Sequence, residues 1–157
     1  MEVAEMKRKV RQLRNLEMRL RYGAPKEHPK ESQDMKYRRK LPLLWDEFFD
    51  LNDRGRKKTR YSIDQLLLMD KAQYRAMVNE FFFHVYYRIY QERGLTEFNL
   101  YDPELLNQLG LPYDADGNAV KKRFRELAKE YHPDAGGNSE EFIRLMELYR
   151  DIRQTDQ

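Results

Sequence analysis

The fold is decided by residues 119–134, AVKKRFRELAKEYHPD, which join an amphipathic helix to a proline that ends it. At about 100° per residue, the apolar side chains of this stretch form one continuous sector of the helix surface. An adjoining sector carries four cations: Lys121, Lys122, Arg125 and Lys129. A residue before proline is disfavoured in the α region, so His132 must leave the helix. The sequence thus predicts His132, Pro133 and Asp134 on a loop beside a cationic helix face.

The same stretch is followed by signals for a second helix. Gly136-Gly137 permits a sharp return of the chain, and Asn138 with Glu141 has the spacing of a helix N-terminal cap. Beyond the cap, apolar residues recur at helical spacing: Phe142, Leu145, Met146, Tyr149 and Ile152. The sequence therefore predicts an antiparallel helical hairpin with His132-Pro133-Asp134 at its tip.

Upstream of the hairpin, the apolar spacing is also helical. Between Val3 and Leu20, apolar residues fall every three or four positions among many cations, as in a basic amphipathic helix. Capping-box spacing predicts two further helix starts, at Ser62 with Gln65 and at Asp70 with Gln73. No segment alternates with a period of two for long enough to indicate a strand. The predicted fold class is all-α.

These elements divide the chain into four predicted segments. They are a basic amphipathic helix over 1–22, a linker over 23–40, a helical module over 41–94 and a hairpin domain over 102–157. The module contains a predicted short helix over 41–51 and a long one over 71–93. Aromatic residues cover most of the circumference of the long helix, which favours a buried core over a client-binding groove, with His84 as a core histidine.

Composition excludes several classes of protein. No run approaches the roughly 20 uncharged apolar residues that span a bilayer, so we expect no membrane association. The chain has no cysteine, which excludes disulfides and thiolate metal sites and favours a cytoplasmic, reducing compartment. Its three histidines are more than 40 residues apart, so we expect no metal centre and no cofactor.

Charge is distributed unevenly. Residues 1–60 carry 18 Lys+Arg against 10 Asp+Glu, a net charge of +8, whereas residues 61–157 carry 12 against 17, a net charge of −5. The basic first half is suited to phosphates or to an acidic protein. For the helix over 1–22, nucleic acid, an acidic partner, a dimer seam and ordinary packing all remain open.

Residues 102–152 resemble the J domain of DnaJ-type co-chaperones. The resemblance rests on the Leu-Gly-Leu ending of a first helix at 109–111, the basic helix over 120–131, the His-Pro-Asp tripeptide and the apolar helix over 142–149. It covers about a third of the chain. The tripeptide alone is a weak signal, but with both flanking helices at hairpin spacing it is specific.

The resemblance implies a function. Members of this family dock the tripeptide loop and the basic helix on the ATPase module of a DnaK-type chaperone and stimulate its ATP hydrolysis, without being enzymes themselves. Carried over by position, the chaperone-binding residues are His132, Pro133, Asp134, Lys121, Lys122, Arg125 and Lys129. The N-terminal region would then bind a client, which the sequence does not identify.

Two features depart from the family pattern. Glu126 stands where a basic residue is common, and too few residues follow Ile152 for the usual fourth helix. The expected fold is therefore an N-terminal helical module followed by a J-like hairpin that lacks the fourth helix. Two alternatives stay open: a nucleic-acid-binding protein that uses the basic N-terminal region, and a J-like adaptor that does not stimulate the ATPase.

Overall fold

The computed structural model describes residues 2–23, 37, 40–52, 58–94 and 102–155. In these ranges it has seven α-helices: α1 Val3–Tyr22, α2 Trp45–Phe48, α3 Ile63–Leu67, α4 Lys71–Arg93, α5 Pro103–Gln108, α6 Gly117–Glu130 and α7 Ser139–Thr155. The predicted all-α class is confirmed. Among the described residues, no helix is both long and apolar enough to cross a bilayer.

One short pair of strands interrupts the helical pattern. β1 (Phe49–Asp50) runs parallel to β2 (Tyr61–Ser62), with Phe49 opposite Tyr61. The helix predicted over 41–51 is therefore limited to α2, because Phe49 turns extended and packs its ring 5.4 Å from that of Phe81. Two residues per strand are too few to produce an alternating pattern, so no periodicity in the sequence indicated this pair.

The chain forms two compact units, Met1–Phe81 and Phe82–Gln157. The division falls inside α4, within the predicted segment 41–94; the four predicted segments themselves stay a prediction. Helix α4 thus contributes residues to both units. The predicted connector at 95–101 and nearly all of the predicted linker at 23–40 lie outside the described residues.

In the first unit, α1 buries Met6, Val10 and Leu13, and its backbone accepts a 2.8 Å hydrogen bond at Val10 from the indole of Trp45. The buried face then continues through Glu17 and Arg21 rather than through Leu16, the next apolar residue at helical spacing, which is 42% exposed. Arg21 is 4% exposed, so it does not lie on the solvent-facing side of this basic helix.

A buried carboxylate explains this departure. Glu17 accepts hydrogen bonds from the backbone N–H groups of Leu44 and Trp45 at 2.6 and 2.9 Å, and from Arg21 at 3.0 Å. Arg21 also donates to the carbonyl oxygen of Pro42 at 3.1 Å. Burial raises the pKa of Glu17, and these three donors oppose that rise. The ion pair therefore ties α1 to the start of α2.

In the second unit, the apolar faces of α6 and α7 pack against the C-terminal half of α4. The ring of Phe124 lies 5.1 Å from Tyr90, and the ring of Phe142 lies 5.0 Å from Phe83. Phe83, Phe124 and Phe142 are at most 1% exposed. The predicted core role of the aromatic helix is therefore seen in this unit.

We predict that Glu17→Gln destabilises the protein by about 3 kcal/mol, because it leaves a buried guanidinium without its counter-charge. Urea unfolding followed by circular dichroism measures the effect. The control is Glu5→Gln, which removes a solvent-exposed pair with Lys9 at 3.4 Å and should cost less than about 0.5 kcal/mol. Equal losses for the two variants would contradict the assigned role of Glu17.

Candidate functional site

The tripeptide lies on a short loop that Pro133 separates from α6. His132 has extended φ and ψ of −63° and 131°, as expected for a residue before proline, and Pro133–Ala135 form one turn of 3-10 helix. The backbone N–H of Asp134 donates to Nδ1 of His132 at 3.1 Å. Because Nδ1 is an acceptor, the proton of the neutral ring is assigned to Nε2. The imidazole therefore caps the turn that follows it.

Two glycines return the chain from this loop. Gly136 adopts a left-handed φ of 72°, a conformation that glycine reaches without strain. Position 137 requires glycine because there is no room for a side chain: a Cβ would lie 2.6 Å from the Cα of Tyr131 and closer still to the carbonyl oxygen of Glu130. The loop is thus closed tightly against the end of α6, and the N–H of Gly137 donates to the carbonyl oxygen of His132 at 3.2 Å.

The side chain of Asp134 is 74% exposed and that of His132 is 24% exposed. The carboxylate at the tip of the hairpin thus faces solvent, while most of the imidazole is covered. An exposed carboxylate on a conformationally restricted loop is suited to a bidentate hydrogen bond from an arginine of another molecule.

The predicted cations all lie on the solvent-exposed surface of α6: Lys121, Lys122, Arg125 and Lys129. None of the four forms an ion pair with a described residue. Lys129 is linked to the loop directly, since its carbonyl oxygen accepts the N–H of His132 at 3.4 Å. Lys121, at the other end of the cationic surface, lies about 12 Å from Lys129 along the helix axis, at 1.5 Å per helical residue. The site is therefore an elongated charged surface that ends in an acidic tip.

The glutamate that departs from the family pattern has a local partner. Glu126 is paired with Arg123 at 3.4 Å, and Arg123 also donates from Nε to the carbonyl oxygen of Leu109 at 3.1 Å. Arg123 thus joins α6 to the end of α5. Glu126 pairs with Arg123 and with none of the four cations named above.

The structure adds three residues that the sequence did not connect with the tripeptide: Phe83, His84 and Tyr87 of α4. Their rings lie 5.0, 5.7 and 5.7 Å from that of His132. The sequence predicted His84 as a core histidine, but in the structure its side chain is only half-buried. A contact between residues almost 50 positions apart leaves no mark in spacing or periodicity, and thus no sequence signal indicated it.

The arrangement of the tripeptide and the four cations is suited to charged recognition. Among the described residues, no group of three or more His, Asp or Glu side chains is placed to hold a metal ion.

Comparison with known proteins identifies the hairpin. The family model described as "DnaJ domain" matches residues 104–156. The second unit therefore contains a J domain, and the resemblance drawn from the tripeptide and its helices is confirmed.

Three curated proteins show how far the similarity extends. The chain is 48% identical over 48 residues to the tetratricopeptide repeat and J domain-containing co-chaperone DNJ1 of Cryptococcus neoformans, covering 31% of this chain and 9% of that protein. It is 52% identical over 40 residues to the chaperone protein DnaJ of Lachnospira eligens, covering 25% and 11%. It is 49% identical over 41 residues to human DnaJ homolog subfamily A member 2, covering 26% and 10%.

The matched segment thus spans only about a tenth of the length of these relatives. No solved structure gives a significant match. The similarity concerns the J domain alone.

We predict that Gly137→Ala destabilises the protein by at least about 2 kcal/mol, because the added methyl group meets backbone atoms that cannot move independently. The control is Gly110→Ala, where φ is 69° but no atom lies within 4 Å of the new Cβ. That change should cost only about 1 kcal/mol of backbone strain. Urea unfolding of both variants is the measurement, and a smaller loss at position 137 would contradict the tight loop closure.

Proposed function

We propose that the chain is a co-chaperone that docks on a DnaK-type chaperone and stimulates its ATPase. The proposal rests on one observation above the others: Asp134 is exposed on a loop closed by Pro133 and Gly137, beside four exposed cations. The chain itself catalyses nothing in this proposal, because the ATP is hydrolysed on the partner. The J domain of the second unit supports the assignment.

The site residues act in different ways in this proposal. The cations of α6 increase the rate of encounter with an acidic surface and make binding depend on salt. Asp134 supplies a directional charged hydrogen bond at the tip. Pro133 restricts the loop before binding, so less conformational entropy is lost on docking. His132 holds the turn that carries Asp134, through the hydrogen bond at Nδ1.

The N-terminal region selects the client or the site to which the chaperone is recruited. The first unit is built differently from the J domain, around the Glu17–Arg21 pair and the aromatic cluster of Phe48, Phe49 and Phe81. Because these core residues are buried, a client would contact the exposed surface of this unit. A cytoplasmic location stays a prediction.

The test is the steady-state ATPase rate of a DnaK-type chaperone from the same organism, measured with rising concentrations of the full chain. We predict stimulation by the wild type and loss of at least about tenfold in stimulation for His132→Gln and for Asp134→Asn, as for removal of a buried charged hydrogen bond at an interface. The matched control is Asp114→Asn, an exposed carboxylate in the same unit. Equal stimulation by wild type and His132→Gln would reject the proposal.

Calorimetry on the same samples separates the adaptor alternative. Binding to the chaperone with no change in ATPase rate would identify an adaptor. Glu126 favours this alternative. Stimulation by the wild type excludes it.

A second candidate function is binding of a nucleic acid by α1. Its solvent-facing side carries Arg8, Arg11 and Arg19, all exposed, while the opposite side is buried in the first unit. Arg8 and Arg19 are about 16 Å apart along the helix axis, at 1.5 Å per residue. That spacing lets one helix face reach several phosphates of a nucleic-acid strand.

We predict for this second candidate that changing Arg8, Arg11 and Arg19 together to Gln weakens RNA binding and lowers the salt dependence by about two to three counterions. Fluorescence anisotropy with a labelled single-stranded RNA between low and physiological salt measures both. The matched control changes Lys121, Lys122 and Arg125 to Gln, which removes the same charge from α6. Equal weakening by the two triple variants, or no binding by the wild type at low salt, would contradict a site on α1.

A further inference from the structure

The imidazole of His132 lies in a cradle of three rings from α4. Phe83, His84 and Tyr87 approach it edge-to-face, with interplanar angles of 76°, 86° and 88°. Edge-to-face contacts at ring-centroid distances of about 5 to 6 Å are attractive. The ring that caps the tripeptide loop is therefore held by α4 as well as by the loop itself.

The cradle is itself fixed by the core of the second unit. Phe83 is fully buried, and its ring packs against those of Tyr87 and Phe142 at 5.8 and 5.0 Å. His84 is joined to it by an edge-to-face contact at 5.6 Å. The spacing of these three α4 residues places them on one side of the helix.

Helix α4 ends at Arg93, before the segment at 104–156 that matches the DnaJ domain. The cradle is thus supplied by a part of the chain outside the matched domain. We propose that α4 contributes to the docking site by holding its loop, and that His84 is a positioning residue for the His132-Pro133-Asp134 loop. This inference rests on the proposed co-chaperone function and extends it.

The physical role of the cradle is to restrict His132. The hydrogen bond from the N–H of Asp134 to Nδ1 forms only when the imidazole is turned towards that amide. Ring contacts on the other sides of the imidazole favour that rotamer and so increase the fraction of molecules in which the turn is formed. A partner that binds only the formed turn binds more weakly, in proportion, when that fraction falls.

His84 is the member of the cradle that separates positioning from folding. Phe83 and Tyr87 both contact Phe142, so removing either one also opens the core. His84 is half-buried and lies at the edge of the cradle. Truncation to alanine therefore removes one ring from His132 and one edge contact from Phe83, but keeps the contacts of Phe83 and Tyr87 with Phe142.

The experiment compares full-length His84→Ala and His84→Phe with the wild type in the ATPase assay. We expect His84→Ala to raise the concentration that gives half-maximal stimulation by about two- to tenfold, the range of one ring contact, with an unchanged maximal rate. His84→Phe keeps a ring at the same position and should restore at least part of the affinity. The matched control is Gln91→Ala, which alters an exposed residue two turns later on the same helix.

A second readout needs no partner. The ring-proton NMR resonances of His132 in the full chain should move in His84→Ala and stay in place in Gln91→Ala. Circular dichroism should show the same helicity for all four proteins and thermal midpoints within about 5 °C of the wild type, since one half-buried ring contributes only about 1 kcal/mol to folding.

The outcomes distinguish the two proposals. Normal stimulation and an unchanged half-maximal concentration for His84→Ala would overturn the positioning role and leave the co-chaperone function standing. An inactive wild type would overturn the co-chaperone function, and the His132 resonances would then decide whether His84 holds the loop. Resonances that do not respond to His84→Ala would overturn the inference in either case.

Discussion

The proline at position 133 is the constraint on which the site depends. It removes His132 from the helical conformation, so α6 must end where its cationic surface ends, and the chain must turn. The turn is short because the carbonyl oxygen of His132 accepts the N–H groups of both Ala135 and Gly137. No side chain fits at Gly137, and the loop therefore closes directly against the last residues of α6. A flexible loop at this position would present the same residues without fixing where Asp134 stands.

The loop also depends on a core that lies under it. Phe124 and Phe142 bring the apolar faces of α6 and α7 together at a ring distance of 6.0 Å, and the aromatic rings of α4 complete that core. The opposite face of α6 keeps its cations in solvent. Burial of aromatic area and exposure of charge thus occur on two sides of one helix, so the binding surface is held rigid by the packing behind it.

Much of this arrangement follows from the sequence, for physical reasons that act locally. The predicted caps at Ser62, Asp70 and Asn138 bind backbone amides two or three residues away, and each is present in the structure. The break at Pro133 and the two-sided character of α6 are equally local. These features gave the all-α class, the hairpin and the exposed tripeptide.

The features that the sequence did not reveal are all non-local. Glu17 looks like any charged residue of a basic helix, and its burial depends on amides at Leu44 and Trp45, far along the chain. The strand pair needs only two residues on each side. His84 meets His132 only because α4 packs against the hairpin in the second unit. Spacing rules describe neighbours within one element, and they carry no information about such encounters.

The most direct test of the account is to map the binding surface on the intact chain. Amide NMR spectra of the isotopically labelled protein would be recorded with and without an ATP-bound DnaK-type chaperone from the same organism. The account predicts selective loss of signal for the exposed face of α6 and for the loop through Gly137. Signals of this region that stay unchanged, while those of another region are lost, would contradict it.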